Sequence, residues 1–253
     1  MKSGNMDINK YVSYMENETD AEVVGLVVYL AGCVVNGIDP ELQDLDEKVL
    51  DEIYQCASRH MLSAIIAAGL EKAGYQDERS MKEIGTSCRR AALFDSAWNE
   101  IAENFEKSGI HYLPLKGVVL KQYYPRMELR EMSDYDIVID PSRAEDVKDL
   151  MESLGYTTVQ YGVSGHDVYQ KKPVLNFEMH REMYNGSFRY EYFRDMARFF
   201  NGEGFRHTLS PEDFYIHMVA HEYKHFSAGG TGLRSLLDIY VYLKQVPLDM
   251  DHI

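Results

Sequence analysis

The sequence predicts an α+β fold in which a mixed β-sheet core is flanked by an N-terminal and a C-terminal helical region. Apolar residues recur at intervals of three and four over residues 7–107, as they do in amphipathic helices. Short runs rich in β-branched and aromatic residues then follow, separated by turns that contain Gly or Pro. Helical spacing returns near the C-terminus. The predicted regions are therefore residues 1–107, 108–184 and 185–253.

Two long helices are predicted in the N-terminal region. Residues 45–73 carry their apolar side chains along one stripe, and Gly74 follows as at a helix C-cap. A second helix is predicted over residues 81–108, ending at Gly109. The most apolar run, residues 23–35, is too short to span a bilayer, so we interpret it as a core helix.

The middle region is predicted to contain the sheet. A helix from Pro141 to Leu154 interrupts the strands, and further helices are expected over residues 190–199, 211–226 and 233–244. The predicted strands are residues 110–115, 133–139, 156–161, 166–170 and 174–180.

The composition limits the classes of partner. A net charge of -15 argues against an extended nucleic-acid surface and against binding to an anionic membrane, since both need clustered Lys and Arg. A nucleoside triphosphate is still compatible with this charge, because it needs few positive groups. Cys33, Cys56 and Cys88 are odd in number and widely spaced, which favours reduced thiols and a cytoplasmic location.

Two carboxylates on one predicted strand indicate a metal site. Asp134 and Asp136 are two residues apart, so a strand would project both to the same face, roughly 6 to 7 Å apart along the chain. Like charges at this spacing repel, and a divalent cation would compensate them. Mg²⁺ or Mn²⁺ suits such hard oxygen ligands. A solvated strand edge is the alternative interpretation of an Asp-x-Asp pair.

A third carboxylate is available on a later strand. In residues 174–180, Glu178 and His180 share the face opposite the apolar side chains. If this strand lies beside that of Asp134 and Asp136, the three carboxylates could hold two metal ions about 3.5 to 4 Å apart. Glu178 would be a metal ligand and a candidate general base.

Positive and backbone groups for phosphate binding lie nearby in the sequence. Lys116 and Gly117 begin a helical stretch directly after a strand, where free N–H groups and an ammonium can meet phosphate. Arg130 precedes the acidic strand and is expected to steady phosphates, with His180 as a further substrate contact.

These segments resemble a known family. Leu115-Lys-Gly-Val-Val-Leu120, Arg130 to Ile139 with its Asp-x-Asp pair, and Phe177-Glu-Met-His180 are similar to the uncharacterised nucleotidyltransferase family NTP_transf_5, of the DNA polymerase β-like superfamily. The resemblance implies a mixed sheet between helices, with Asp134, Asp136 and Glu178 as catalytic metal ligands. Lys116-Gly117 stands where the superfamily usually has Gly-Ser.

The function implied is transfer of a nucleoside monophosphate from a nucleoside triphosphate to an unknown acceptor, which could be a small molecule, a protein or an RNA end. An alternative is a catalytically weak nucleotide-binding or toxin–antitoxin-like interaction module. A third class is suggested by His221-Glu-Tyr-Lys-His225, which fits the H-E-x-x-H pattern of zinc peptidases. Lys224 between the histidines disfavours zinc, and Asp238 is the nearby candidate for a third ligand.

Overall fold

The protein is represented by a computed structural model, in which residues 18–163, 165–184, 193, 196–200 and 202–253 are described. The chain divides into two compact units. One comprises residues up to Ile84 together with Gly232–Arg234, and the other comprises Gly85–Thr231 and Ser235–Ile253. The finer division at residues 107 and 184 stays a prediction.

The first unit is helical. It contains α1 (Glu18–Asn36), α2 (Glu47–Arg59), α3 (Ser63–Lys72) and the start of α4 (Glu78–Ser108). The single helix predicted over residues 45–73 is wrong, because the chain turns at Met61, whose φ of 55° lies in the left-handed region and ends α2.

Close packing of α1 against α3 requires a glycine. A Cβ atom at Gly69 would lie 3.3 Å from side-chain atoms of Leu30 and Val34. These two residues are buried, and α3 is buried from Ser63 to Leu70. Gly69 therefore lets the two helices approach each other across an apolar interface.

The second unit contains a mixed five-stranded sheet, as predicted. The strands lie in the order β1-β2-β5-β4-β3, and β2 pairs with β5 in parallel while the other neighbours are antiparallel. Their bounds are β1 Tyr112–Pro114, β2 Tyr135–Ile139, β3 Thr157–Gln160, β4 His166–Lys171 and β5 Leu175–His180.

The described residues of this part of the chain also form α5 (Gly117–Leu120), α6 (Ala144–Ser153), α7 (Pro211–Ala228) and α8 (Leu233–Gln245), whose first two residues are grouped with the first unit. Short 3-10 turns cover Lys121–Tyr123, Met127–Leu129, Pro141–Arg143 and Met196–Phe200. Half of the helix predicted over residues 190–199 lies outside the described residues, and its last four residues belong to the 3-10 turn Met196–Phe200. No helix in the described ranges is both long and apolar enough to cross a membrane.

One face of the sheet is covered by α4 and α6. The alternating residues Tyr135, Ile137 and Ile139 of β2 are completely buried on this side. Aromatic and aliphatic side chains of the helices fill the space against them, namely Phe94, Trp98, Ile101, Phe105, Val147 and Met151. Because this face is apolar, the polar residues at alternate positions of β2 and β5 must project to the other face.

A buried ion pair ties α8 to the segment before β2. The guanidinium of Arg130, 5% exposed, donates from Nε to Asp238 Oδ1 at 2.8 Å and from Nη2 to Asp238 Oδ2 at 2.7 Å. Tyr124 donates its hydroxyl to the same carboxylate at 2.7 Å. A Cβ at Gly117 would lie 2.7 Å from Arg130 Nη1, so glycine there makes room for the guanidinium.

We predict that Asp238→Ala destabilises the protein strongly, because it leaves the buried guanidinium of Arg130 without its counter-charge. The expected loss in free energy of unfolding is about 3 to 5 kcal/mol, measured by urea denaturation. Asp251→Ala removes the same side chain from an exposed position near the C-terminus and should change stability by less than about 0.5 kcal/mol. Equal effects of the two substitutions would contradict a structural role for the pair.

Candidate functional site

Strand register brings the predicted acidic residues together. In the parallel pair, Asp136 of β2 lies opposite Glu178 of β5, and Val138 lies opposite His180. The burial of β5 alternates, with the apolar side chains buried and Asn176, Glu178 and His180 half-buried on the other face. The predicted facing of β5 is therefore confirmed, and the condition that this strand lies beside the strand of Asp136 is met.

Three side chains of this face form a compact cluster of ligand-type atoms. One oxygen of Asp136, one of Glu178 and one ring nitrogen of His180 all lie within 4.8 Å of one another. His180 Nε2 lies 3.0 Å from Asp136 Oδ1 and 3.8 Å from Glu178 Oε2. No other group of three or more such side chains occurs among the residues that the structure describes.

Lys116 places a positive charge directly on this cluster. Its Nζ donates to Asp136 Oδ1 at 2.9 Å, and the neighbouring Leu115 N–H donates to the Asp136 carbonyl oxygen at 2.9 Å. The backbone of Lys116 has φ 40° and ψ -112°, a conformation that residues other than glycine rarely adopt. As predicted, a helix begins at once after it, although α5 has only four residues. The strained conformation marks Lys116 as a functional candidate.

The pKa values of Asp136 and Glu178 are shifted in opposite directions. Burial by itself raises the pKa of Asp136, but the Lys116 ammonium and the hydrogen bond with His180 outweigh it and hold this pKa well below its usual range. The pKa of Glu178 is raised, first by burial and then by the negative charges of Asp136 and Asp134. Asp136 is therefore ionised, while Glu178 has an increased affinity for a proton or another cation.

Asp134 is not part of the strand, so its predicted placement there is wrong. β2 begins at Tyr135, and the ligand cluster has His180 as its third member beside Asp136 and Glu178. Asp134 is half-buried, and its charge contributes, after burial and the charge of Asp136, to the raised pKa of Glu178. A role for Asp134 as a metal ligand stays a proposal.

Gly117 and Arg130, the other predicted substrate contacts, pack against each other. Arg130 directs two of its donor nitrogens to Asp238, and Gly117 provides the space that the guanidinium occupies. In this structure Arg130 forms an internal ion pair with Asp238, and its predicted phosphate contact stays a prediction. This observation favours a structural role for both residues.

The charges of Lys116 and Asp136 also act on two histidines of α7, His217 and His221. His217 is 1% exposed, its Nδ1 lies 3.0 Å from the Tyr184 hydroxyl oxygen, and its Nε2 is buried with no hydrogen-bond partner among the residues that the structure describes. Burial, followed by the charge of Lys116, lowers the pKa of His217 well below its usual value. The same two effects act on His221, where a hydrogen bond with Glu222 only partly opposes them, and its pKa falls to about 4.

The zinc peptidase interpretation of this helix gains no support. His221 Nε2 and His225 Nε2 lie 3.1 Å apart, but no third ligand-type side chain groups with them among the described residues. Asp238 is paired with Arg130. Burial alone would raise the pKa of Glu222, yet hydrogen bonds with His221, Ser235 and Thr231 lower it to about 2, so this glutamate is a poor general base.

His166 is a site residue that the sequence did not indicate. It lies on β4 opposite His180, with its Nε2 3.6 Å from Glu178 Oε2 and its ring 5.1 Å from that of His180, centroid to centroid. The only available signal was its position at the start of a predicted strand. The pairing of β4 with β5 is what brings His166 next to His180 and Glu178, and local sequence does not specify that pairing.

We predict that the protein loses stability as the pH falls below about 6.5, because the unfolded chain then binds a proton that buried His217 resists. A depressed folded-state pKa means that unfolding takes up protons, and the slope approaches about 1.4 kcal/mol per pH unit. Urea denaturation at pH 7.5 and 5.0 should show a smaller loss in His217→Gln than in wild type. His252→Gln, at an exposed position, should retain the wild-type loss; equal losses in all three proteins would contradict the assignment.

Comparison with known proteins identifies the family. The profile described as an uncharacterised nucleotidyltransferase, NTP_transf_5, matches residues 46–253, which include the whole candidate site. Searches of curated proteins and of solved structures returned no match. The matched range is well over half of the 253 residues, and the resemblance of the Lys116 to His180 segments is thereby confirmed. The chain belongs to the uncharacterised nucleotidyltransferase family NTP_transf_5.

Proposed function

We propose that the protein is a metal-dependent nucleotidyltransferase that transfers a nucleoside monophosphate from a nucleoside triphosphate to an acceptor hydroxyl or phosphate. The observation that carries the proposal is the cluster of Asp136, Glu178 and His180 beside Lys116, in a chain of this family. The acceptor could be a small molecule, a protein or an RNA end.

The donor atoms of the cluster fit a divalent cation. Asp136 is ionised and nearly buried, and a second carboxylate lies beside it, so a cation would relieve the repulsion between them. Asp136 and Glu178 would hold the ion, with Asp134 as a further carboxylate at the same edge. Mg²⁺ or Mn²⁺ at this position would offset the negative charge of the triphosphate.

Lys116 is proposed to bind the triphosphate. Its ammonium is only partly exposed and is already directed into the cluster by its strained backbone. A phosphate oxygen would compete with Asp136 for this ammonium, so substrate binding and release of Asp136 from Lys116 would occur together. Lys116 thereby takes the position that the Gly-Ser turn has in the wider superfamily.

Glu178 is proposed to accept the acceptor's proton. Its carboxylate lies within the cluster, where burial and the charges of Asp136 and Asp134 favour the protonated form. In the transfer step the acceptor oxygen forms a bond to the α-phosphorus, and the bond from that phosphorus to the bridging oxygen breaks. Pyrophosphate leaves with the electron pair, and the acceptor proton moves to a Glu178 carboxylate oxygen. Positioning of the two reactants and electrostatic stabilisation supply most of the rate enhancement in such reactions.

We predict that Asp136→Asn abolishes transfer while the protein stays folded, because it removes the ionised ligand of the cluster. With α-³²P-labelled ATP, GTP, CTP or UTP and the protein itself or candidate acceptors, labelling should fall at least about 100-fold, or about 2.7 kcal/mol in activation free energy. In the same assay, Asp134→Asn tests whether Asp134 also takes part in binding the metal ion.

Asp149→Asn is the matched control, since it makes the same change on the exposed face of α6. Its transfer rate should equal that of wild type. Thermal shift with each nucleotide, with Mg²⁺ and with EDTA, reports binding independently of the acceptor. Transfer or metal-dependent stabilisation that survives in Asp136→Asn would refute the proposed site.

We predict that Lys116→Met separates the two roles of this ammonium. Metal affinity in the absence of nucleotide should rise several-fold, because a competing cation has been removed from Asp136. Nucleotide affinity should fall about tenfold to 100-fold, as expected for loss of a charged hydrogen bond of about 1.5 to 3 kcal/mol. Both affinities are measured by isothermal titration calorimetry. Lys107→Met, at an exposed ion pair, is the control; parallel changes of both affinities in Lys116→Met would contradict competition.

A further inference from the structure

The cluster contains imidazole as well as carboxylate donors. Across the three adjacent strands β2, β5 and β4, Asp136 lies beside Glu178, and the next row on the same face places His180 beside His166. Two oxygen donors and two nitrogen donors therefore share one patch of the sheet. Mg²⁺ is usually bound by oxygen donors alone, whereas imidazole nitrogens are typical ligands of transition ions.

The separations between donor atoms fit ligands of one ion. Two donors bound at about 2.0 to 2.2 Å in a tetrahedral arrangement lie about 3.3 to 3.6 Å apart. His180 Nε2 lies 3.0 Å from Asp136 Oδ1 and 3.8 Å from Glu178 Oε2, and His166 Nε2 lies 3.6 Å from Glu178 Oε2. The first of these separations lies slightly below the expected range, the second slightly above it and the third within it.

The candidate ions differ in how well they can compete with the ammonium of Lys116 for Asp136. An ion entering the cluster must displace the ammonium of Lys116 from Asp136, where both side chains are largely buried. Mg²⁺ gives up its hydration water reluctantly and gains little from an imidazole nitrogen. Zn²⁺ and Co²⁺ bind imidazole strongly, so they recover more free energy on displacing the ammonium.

We propose that Asp136, Glu178 and His180, with His166 as a fourth donor, form a mixed carboxylate and imidazole site that binds a first-row transition ion such as Zn²⁺ or Co²⁺ in preference to Mg²⁺. This inference deepens the proposed function, since it concerns the same site. His180 is a ligand of the ion, and His166 completes the donor set from the neighbouring strand.

The test is metal titration of the tag-free, metal-free full chain with Zn²⁺, Co²⁺ and Mg²⁺, without nucleotide, by calorimetry and by the visible absorption of bound Co²⁺. Wild type should bind Zn²⁺ and Co²⁺ at least 100-fold more tightly than Mg²⁺. His180→Gln should weaken Zn²⁺ and Co²⁺ binding at least tenfold, alter the Co²⁺ spectrum and leave Mg²⁺ affinity within about twofold.

Two further variants keep the result interpretable. His166→Gln replaces a more exposed side chain on β4 and should weaken Zn²⁺ binding less than His180→Gln. His225→Gln disrupts the histidine pair of α7 and should leave Zn²⁺ affinity unchanged. Loss of Zn²⁺ binding in His225→Gln but not in His180→Gln would place the ion on α7 and overturn the proposal, as would equal wild-type affinities for Mg²⁺ and Co²⁺.

The outcome is distinguishable from failure of the proposed function, because no step of the titration uses a nucleotide. Selective Zn²⁺ or Co²⁺ binding that depends on His180, in a protein without transfer activity, would support the metal assignment alone. Transfer that depends on Asp136 in a protein with no preference over Mg²⁺ would support the reaction and overturn the metal assignment.

Discussion

Parallel pairing of β2 with β5 is the constraint on which the candidate site depends. These strands are distant in sequence, and their register places Asp136 beside Glu178 and directs both away from the apolar face of the sheet. The opposite face holds the pair in place, because Tyr135 and Phe177 are both completely buried against α4. A shift of one residue would exchange the two faces and bury the carboxylates in the core.

Concentrated negative charge at this face requires positive partners, and the fold provides them from separate segments. Lys116 reaches Asp136 from the turn between β1 and α5, and His180 reaches it from β5. Arg130 satisfies Asp238 instead, so its positive charge stabilises the packing of α8 rather than the cluster. Lys116 has a strained backbone conformation, and His217 Nε2 is buried with no hydrogen-bond partner in the described part of the chain; such features are common where function competes with stability.

Local sequence patterns were sufficient to predict most of the strands and helices. The strands were predicted within two or three residues, because alternation in β5 and turn residues around β4 are local signals. The prediction of one helix over residues 45–73 was wrong at Met61. The apolar stripe continues past this residue, but its left-handed backbone conformation ends the first helix. Asp134 was placed on the strand for a similar reason: pattern does not define where the first ladder hydrogen bond forms.

The sequence by itself determined the α+β class, the resemblance to the nucleotidyltransferase family, and the candidacy of Asp136, Glu178 and Lys116, because each depends on spacing between near neighbours in the chain. Tertiary structure alone decided that His180, predicted as a substrate contact, lies within ligand distance of Asp136 and Glu178, that His166 lies opposite His180 on β4, and that Arg130 pairs with Asp238. These are contacts between segments far apart in the chain, and their formation depends on strand order, register and packing, which local residue patterns do not specify.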